Sequence, residues 1–296
     1  MSADVTKRSA LEKTAVLIEA LPYIKRFYGK VVVVKYGGNV LSGADERTAL
    51  SIFAEDIVLM RSVGMHPVVV HGGGPQIADM LKKLNLTSEF RNGLRVTDAP
   101  TLEVARMVLV GKVNRDIVAA LNVHGSAAVG VSGEDANLLE VTCRDPELGF
   151  VGDVTKVNVA FLKRMLAEES IPVIATIGTD GNGQAYNVNA DTAAGAIAGA
   201  LRAEKLVYLT NIEGLRADVN DPTSLISSID SQELQKMLDD GILTEGMIPK
   251  IESCIHAIDH GVAKAHILDG RIPHSLLLEV FTEEGIGTEV TGAQRW

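Results

Sequence analysis

Short, almost uninterrupted runs of valine, isoleucine and leucine alternate along this chain with stretches of helical periodicity, and this alternation constrains the fold more than any other feature. The strand-like runs lie at residues 31–34, 67–70, 127–131, 172–177, 206–209 and 265–268; the helix-period segments lie at 46–63, 76–84, 101–121, 191–201 and 248–260. Runs that are apolar at every position belong to strands buried on both faces, so the sheet between the helices is mostly parallel. The expected architecture is an open three-layer αβα sandwich. Residues 139–159 break the rhythm, with Pro146, Gly149 and Gly152 between short strand-like pieces, and are expected to form hairpins at an edge of the sheet. The polar, Gly-rich stretch 178–183 reads as a loop, with a boundary between two lobes close to Ala190. A length of 296 residues suits one large α/β unit or two fused lobes.

Charge narrows the partners. A formal net charge of −10 repels polyanions, and no Lys/Arg run offsets it, so nucleic acids and anionic membranes are not expected partners. A site for small anions would then need its own positive potential from a few basic side chains and helix N-termini. Cys143 and Cys254 are far apart and without CxxC spacing, which suggests buried, reduced thiols and neither a disulfide framework nor a zinc site. Charged residues at Asp4, Lys7, Arg8, Glu12 and Lys13 rule out a signal-peptide core at the N-terminus, and no stretch approaches the roughly 18 apolar residues of a membrane span, so a cytoplasmic location is expected.

Two glycine clusters follow predicted strands, at the strand ends where open α/β sheets bind ligands. Lys35-Tyr36-Gly37-Gly38-Asn39 follows the first; on its own it reads as a strand-to-helix turn with a surface lysine sooner than as a ligand loop. His71-Gly72-Gly73-Gly74-Pro75 follows the second and then opens a helix. Three glycines exceed what a turn needs, and Pro75 suits a first helical turn whose exposed amides form an anion nest. The run is neither GxxxxGK[ST] nor GxGxxG, so it is not an ordinary P-loop or Rossmann turn. His71, ending a buried strand, reads as a satisfied structural residue, and neither HExxH nor GxSxG occurs.

These clusters, with Arg91-Asn92-Gly93-Leu94-Arg95-Val96-Thr97-Asp98, resemble the amino acid kinase family, and within it the acetylglutamate kinases. The resemblance continues through Asn187-Val188-Asn189-Ala190-Asp191, Leu209-Thr210-Asn211-Ile212-Glu213-Gly214 and Gly246-Met247-Ile248-Pro249-Lys250. It implies ATP-dependent phosphorylation of the γ-carboxylate of N-acetyl-L-glutamate, with 29–189 as the acetylglutamate-binding lobe and 190–296 as the ATP-binding lobe. Lys35, Lys250 and Asp191 take catalytic roles by this resemblance. Gly73, Gly74, Arg95 and Asn187 take the substrate, and Gly37, Gly38, Thr210, Asn211 and Gly214 take ATP. Magnesium rides on the ATP phosphates and no protein metal site is implied. Read from the residues alone, Asp191 is better taken as a helix cap, and Lys250 is compatible with an ordinary solvated lysine. Other members of the family, acting on glutamate, aspartate, carbamate or uridylate, are the nearest alternatives, and a non-catalytic arginine sensor on the same fold is another.

Residues 9–28 carry apolar positions at three- and four-residue spacing, a helix with one apolar face, and Pro22 is expected to kink it. By the same resemblance, residues 1–28 are an oligomerisation and arginine-sensing extension that interlaces dimers into a hexamer. Tyr23, His266, Glu279 and Gly287 fall in segments matching the effector site, and a PII-type signalling protein is a further family partner.

Overall fold

In the computed structural model, which describes residues 2–37, 46–91, 93–125, 128–218, 221, 223–243, 246–282 and 285–293 and side chains from residue 14 onward, the valine run becomes β1 (Val31–Tyr36) at the middle of an eight-stranded sheet. On one side of it lie β2 (His66–His71), β8 (Ile171–Ala175) and β5 (Ala128–Ser132). On the other lie β11 (Lys205–Thr210), β13 (Lys264–Asp269), β14 (Thr288–Thr291) and β12 (Ser228–Asp230). Every neighbouring pair is parallel except β13 with β14.

Period-two alternation gives the sheet two cores. Val32, Val34 and Tyr36 face Phe53 and Ile57 of α2 (Glu46–Ser62), with Ile117 of α5 (Asn114–Asn122) in the same cluster. Val33 instead faces Ala194 and Ile197 of α7 (Ala190–Leu201) and Ile251 and Cys254 of α9 (Ile248–Asp259). Lys35, two residues on from Val33, therefore points to the α7 and α9 side. The chain is completed by α1 (Ser2–Phe27), α3 (Gly74–Lys83), α4 (Ala99–Arg106), α6 (Val159–Ala167), α8 (Ser231–Asp239) and α10 (Ser275–Phe281). Among the described residues, no helix is long and apolar enough to cross a membrane.

Register levels the strand ends. Tyr36 lies opposite both Leu209 and His71, and His71 opposite Ala175. Gly37, Thr210, Gly72 and Thr176 consequently leave the sheet at one height. The crossovers from β1 and β11 run to opposite sides, so a crevice opens between their carboxyl ends, where open α/β sheets hold ligands.

Four expectations are corrected, the first being the burial of both cysteines, since Cys143 is exposed and Cys254 alone of the two is buried. The segment 139–159 does form a hairpin, β6 (Leu139–Cys143) with β7 (Val151–Val157), but it leaves the main sheet and closes with β9 (Ile177–Thr179) and β10 (Ala185–Val188) into a separate four-stranded barrel. Gly178 is accordingly a strand residue, since a Cβ there would press on Val141 and the Leu139 carbonyl, and the loop is confined to the turn after Thr179. The helical stretch 101–121 is interrupted by a π-helical turn at Met107–Val113 between α4 and α5. Pro22 lies within α1, in keeping with the helical reading of residues 9–28. A small hairpin of β3 (Phe90–Arg91) and β4 (Leu94–Arg95) overhangs the crevice.

Candidate active site

Three elements deliver three charged side chains to one point. Lys35 Nζ, from the end of β1, lies 2.8 Å from Asp191 Oδ1. Lys250 Nζ, from the first turn of α9, donates to Asp191 Oδ2 at 2.9 Å. Asp191 is not the cap of α7, because Asn189 holds that position and its Oδ1 accepts from the amides of Asp191 at 2.8 Å and Thr192 at 3.2 Å. The Asp191 carboxylate is thus left for the two lysines. Burial pushes its pKa up, but the charges of Lys250 and Lys35 outweigh burial and hold it well below the usual carboxylate range. Burial also lowers Lys35, with Asp191 opposing and Lys250 assisting. A cation in the first turn of α9 stands against the helix dipole, an arrangement that stability alone does not favour.

These residues line a cleft of about 650 Å³ together with Gly37, Gly72, Gly73, Gly74, Arg95, Asn187, Thr210 and Asn211. The glycine loop is shaped by the π-helical turn beneath it: a Cβ on Gly73 would come within 2.8 Å of Leu109 Cδ2 and 3.2 Å of Val113 Cγ2. A Cβ on Gly74 would stand in open space, on the side of the cleft. The loop then becomes the start of α3 with Pro75 in its first turn, no acidic residue and no side-chain cap, so the first amides are free for an anion. His71 is structural, as expected. Its Nδ1 lies 3.0 Å from the Gly72 carbonyl, its Nε2 lies 3.1 Å from the Asn114 amide, and burial lowers its pKa to about 4.

Arg95 reaches the cleft from β4. Nη1 donates to Ser88 Oγ at 2.9 Å and Nη2 to the Gly74 carbonyl at 3.0 Å, with the guanidinium 4.5 Å from the centre of the Phe90 ring. The side chain is thereby aimed before any ligand arrives. Asn187 of β10 donates to Thr97 Oγ1 at 3.3 Å, and Thr97 donates to the Arg95 carbonyl at 2.9 Å, which ties the barrel to the β4 hairpin.

On the other side, Thr210 and Asn211 lead from the cleft to a second cavity of about 250 Å³. Gly214 lines it together with Ile212, Leu243 and Met247, and its φ of 155° and the Thr288 hydroxyl, 2.6 Å from a Cβ, leave no room for a side chain. The expected site residue Gly38 lies outside the described residues, as do Asn39 and Asn92. Asp191 is the one carboxylate among the described residues lining the larger cleft, and both its oxygens are taken by lysines. A magnesium ion would find phosphate and water ligands here, together with neutral groups such as Asn211 and Thr210, and no free carboxylate cage.

Tyr23, Glu279 and Gly287 meet far from the cleft, around a cavity of about 430 Å³ between α1, α10 and β14. Its charged lining comprises Arg26, Lys205 and Lys264 with Glu279 and Glu289. His266 is fully buried behind it, its Nδ1 2.8 Å from Glu279 Oε1. Burial raises the Glu279 pKa, but His266 and then Lys205 bring it below the usual value.

Asn189, Thr97 and Ser88 were absent from the sequence-derived set. Asn189 was legible in principle, as an asparagine placed immediately before a helical pattern. Thr97 and Ser88 act through contacts across the fold and carry no local signal.

The sequence pattern described as the amino acid kinase family matches residues 30–269. An acetylglutamate kinase from Symbiobacterium thermophilum is 51% identical over 292 residues, covering 96% of this chain and 99% of that protein. Another, from Desulforamulus reducens, is 51% identical over 288 residues, covering 95% and 98%. Among solved structures, N-acetylglutamate synthase from Neisseria gonorrhoeae complexed with coenzyme A and N-acetyl-glutamate matches with a TM-score of 0.83 at 28% identity over 95% of this chain; the match spans 64% of that longer protein. Carbamate kinase from Giardia lamblia bound to AMP-PNP, at 16% identity and a TM-score of 0.68, covers 90% of this chain and 99% of its own, a likeness of fold alone. The family pattern thus runs through every element that lines the cleft, and the chain belongs to the amino acid kinase family.

Proposed function

We propose that the chain transfers the γ-phosphoryl group of ATP to the γ-carboxylate of N-acetyl-L-glutamate, giving N-acetyl-L-glutamyl 5-phosphate and ADP for arginine biosynthesis. The observation that carries this reading is the Lys35–Asp191–Lys250 cluster on the floor of a cleft whose other wall is a glycine loop and helix start. A side-chain carboxylate with a pKa of about 4.3 is already ionised near neutrality, so its oxygen attacks the γ-phosphorus while the bond to the β,γ-bridging oxygen breaks, and no proton has to move. The site matches that economy. His71 is neutral and already hydrogen-bonded, and Asp191 is too strongly held as an anion to serve as a base.

What two mutually repelling anions need is alignment and positive charge. Lys35 and Lys250 supply charge to the equatorial oxygens as the in-line transition state forms. Asp191 keeps the two ammonium groups apart and aimed. Arg95 pairs the substrate α-carboxylate, Asn187 hydrogen-bonds the substrate, and the amides of Gly73 and Gly74 hold anionic oxygens. Thr210, Asn211 and Gly214 flank the nucleotide, whose base fits the cavity lined by Ile212, Leu243 and Met247. ATP enters as its magnesium complex.

The cavity at Tyr23, Glu279 and Gly287 is read as the arginine effector site, because three basic residues and two carboxylates suit a zwitterion with a second cationic end. Val16, Leu17 and Ile18, each more than 60% exposed on α1, are read as the contact through which copies assemble into a hexamer.

A substrate panel tests the primary reading: ATP and magnesium with N-acetylglutamate, glutamate, aspartate and carbamate, the acyl phosphate being trapped by hydroxylamine. N-acetylglutamate is expected to give the highest kcat/KM. A higher value for glutamate or aspartate overturns the assignment.

A further inference from the structure

Beneath the two lysines lies a pair of hydroxyl groups that phosphoryl transfer as described above does not use. Tyr208 of β11 and Ser253 of α9 are both buried. The Ser253 hydroxyl donates to the backbone carbonyl of Asp191 at 2.6 Å, and Tyr208 Oη lies 2.6 Å from Ser253 Oγ. A serine has one proton to give, so its bond to Asp191 makes Tyr208 the donor in the second bond. Burial, then the neighbouring Cys254 and Asp191, holds the Tyr208 phenol well above its ordinary pKa, which keeps that proton in place.

The same tyrosine touches the cluster a second way. Lys250 Nζ lies 5.1 Å from the centre of its ring, within cation–π range. The approach of α7 to α9 that makes this possible depends on Gly195, where a Cβ would collide with Ser253 Oγ and lie 2.9 Å from the Ser253 carbonyl. Ser253 is one helical turn from Lys250, so a single bond fixes the main chain of Asp191 to the helix that carries its lysine partner.

We infer that Tyr208 and Ser253 are positioning residues for phosphoryl transfer: the serine pins Asp191 to α9, and the tyrosine ring supports the Lys250 ammonium from below. The inference rests on the kinase reading above. Lys250 starts a helix whose dipole opposes its charge and is repelled by Lys35 across Asp191, so among the described residues Asp191 and the Tyr208 ring are the attractive contacts of its ammonium. Releasing either support lets the ammonium move from the line of transfer, and a misplacement of about 1 Å costs on the order of a hundredfold in rate. A purely structural role would leave turnover alone or lower it in step with stability.

A mutant cycle separates these. Tyr208→Phe, Tyr208→Leu and Ser253→Ala are made in the wild type and in a Lys250→Ala background, and kcat, KM for both substrates and melting temperature are measured. Tyr208→Phe keeps the ring and its packing, so it is the variant expected to stay folded, which the melting temperature checks. In the wild type, Ser253→Ala and Tyr208→Phe are expected to lower kcat by about 3- to 10-fold, the value of one buried hydrogen bond. Tyr208→Leu, which also removes the ring, is expected to lower it by about 10- to 30-fold, with KM held within about twofold. In the Lys250→Ala background the same changes are expected to alter residual kcat by less than about twofold, because the group they position is gone. Equal losses in both backgrounds, or losses confined to KM, overturn the inference. Wild-type enzyme that forms no acyl phosphate from N-acetylglutamate defeats the kinase reading itself, an outcome visible before any variant is compared.

Discussion

Lys35 and Tyr36 are neighbours on β1, but they open onto opposite faces of the sheet, and each face holds a buried carboxylate with a very different character. On the Lys35 side, Asp191 sits between two ammonium groups at 2.8 and 2.9 Å. On the Tyr36 side, Asp56 of α2 meets a single imidazole, with His274 Nδ1 2.6 Å from Oδ1 at the start of α10. Burial is the largest influence on both and raises both. Two lysines overcome it at Asp191, whereas one histidine, itself nearly half exposed, leaves Asp56 at about 6. Burial alone therefore does not decide the charge of a carboxylate here; the number of fixed cations around it does.

The comparison breaks most severely if Lys250 is not special. Lys250→Ala is expected to lower kcat by about 10²- to 10³-fold, the usual loss of one transition-state charge stabiliser, while KM for N-acetylglutamate stays within a few-fold. Steady-state kinetics decide it, and a change confined to KM removes Lys250 from the stabilising role. Arg95 should show the reverse. If Arg95, held by Ser88 and the Gly74 carbonyl, forms a ground-state ion pair with the substrate, Arg95→Ala should raise KM for N-acetylglutamate by about 10- to 100-fold with kcat little altered.

Glu279 is the intermediate case, a half-buried carboxylate with His266 and Lys205 beside it. If its role is to receive the effector's guanidinium, Glu279→Gln should raise the arginine concentration for half-inhibition by about tenfold, the value of a charge-assisted hydrogen bond. Turnover without arginine should stay within about twofold of wild type. Inhibition curves that superpose for the two proteins would separate this cavity from arginine.

Which parts of this arrangement can be read without coordinates follows from how local their causes are. The strands around Val31 and Val68 declare themselves through continuous apolar runs, and the side of the sheet that Lys35 faces follows from its parity with Val33. The glycine loop at 72–74 is equally plain, since nothing but a close approach requires three glycines there. The π-helical turn under it is not, because residues 101–121 keep a helical pattern on either side of Met107–Val113 and the extra residue leaves no mark. The separate barrel is hidden for another reason: β6 and β7 are legible as a hairpin, but their desertion of the main sheet depends on pairing with β9 and β10. Gly195, Tyr208 and Ser253 lie on three different elements and acquire their relation only when α7 packs on α9.

The smallest expected effect concerns Asp56 and sharpens the contrast with Asp191 through pH. Its carboxyl has an ordinary pKa near 3.8 and a folded value of about 6, so between about pH 4 and 6 the native state holds a proton that the unfolded chain has lost. More protons on the native side means that this group's contribution to stability falls as pH rises through that window, and is greatest below it. This net shift, in which the His274 hydrogen bond and charge have already offset part of the effect of burial, corresponds to roughly 3 kcal/mol. Asp191 carries the opposite sign, with stability present at neutral pH and lost as acid protonates it below the ordinary carboxylate range. Asp56→Asn isolates the first contribution: denaturant unfolding of wild type and variant at pH 4.5, 5.5, 6.5 and 7.5 should show the variant gaining stability relative to wild type as pH rises, by about 1–3 kcal/mol across the series. Its kcat should remain within twofold, since the residue faces away from the cleft. A stability difference that stays flat from pH 4.5 to 7.5 would show that Asp56 is ionised throughout, and that one histidine holds a buried carboxylate as firmly as two lysines do.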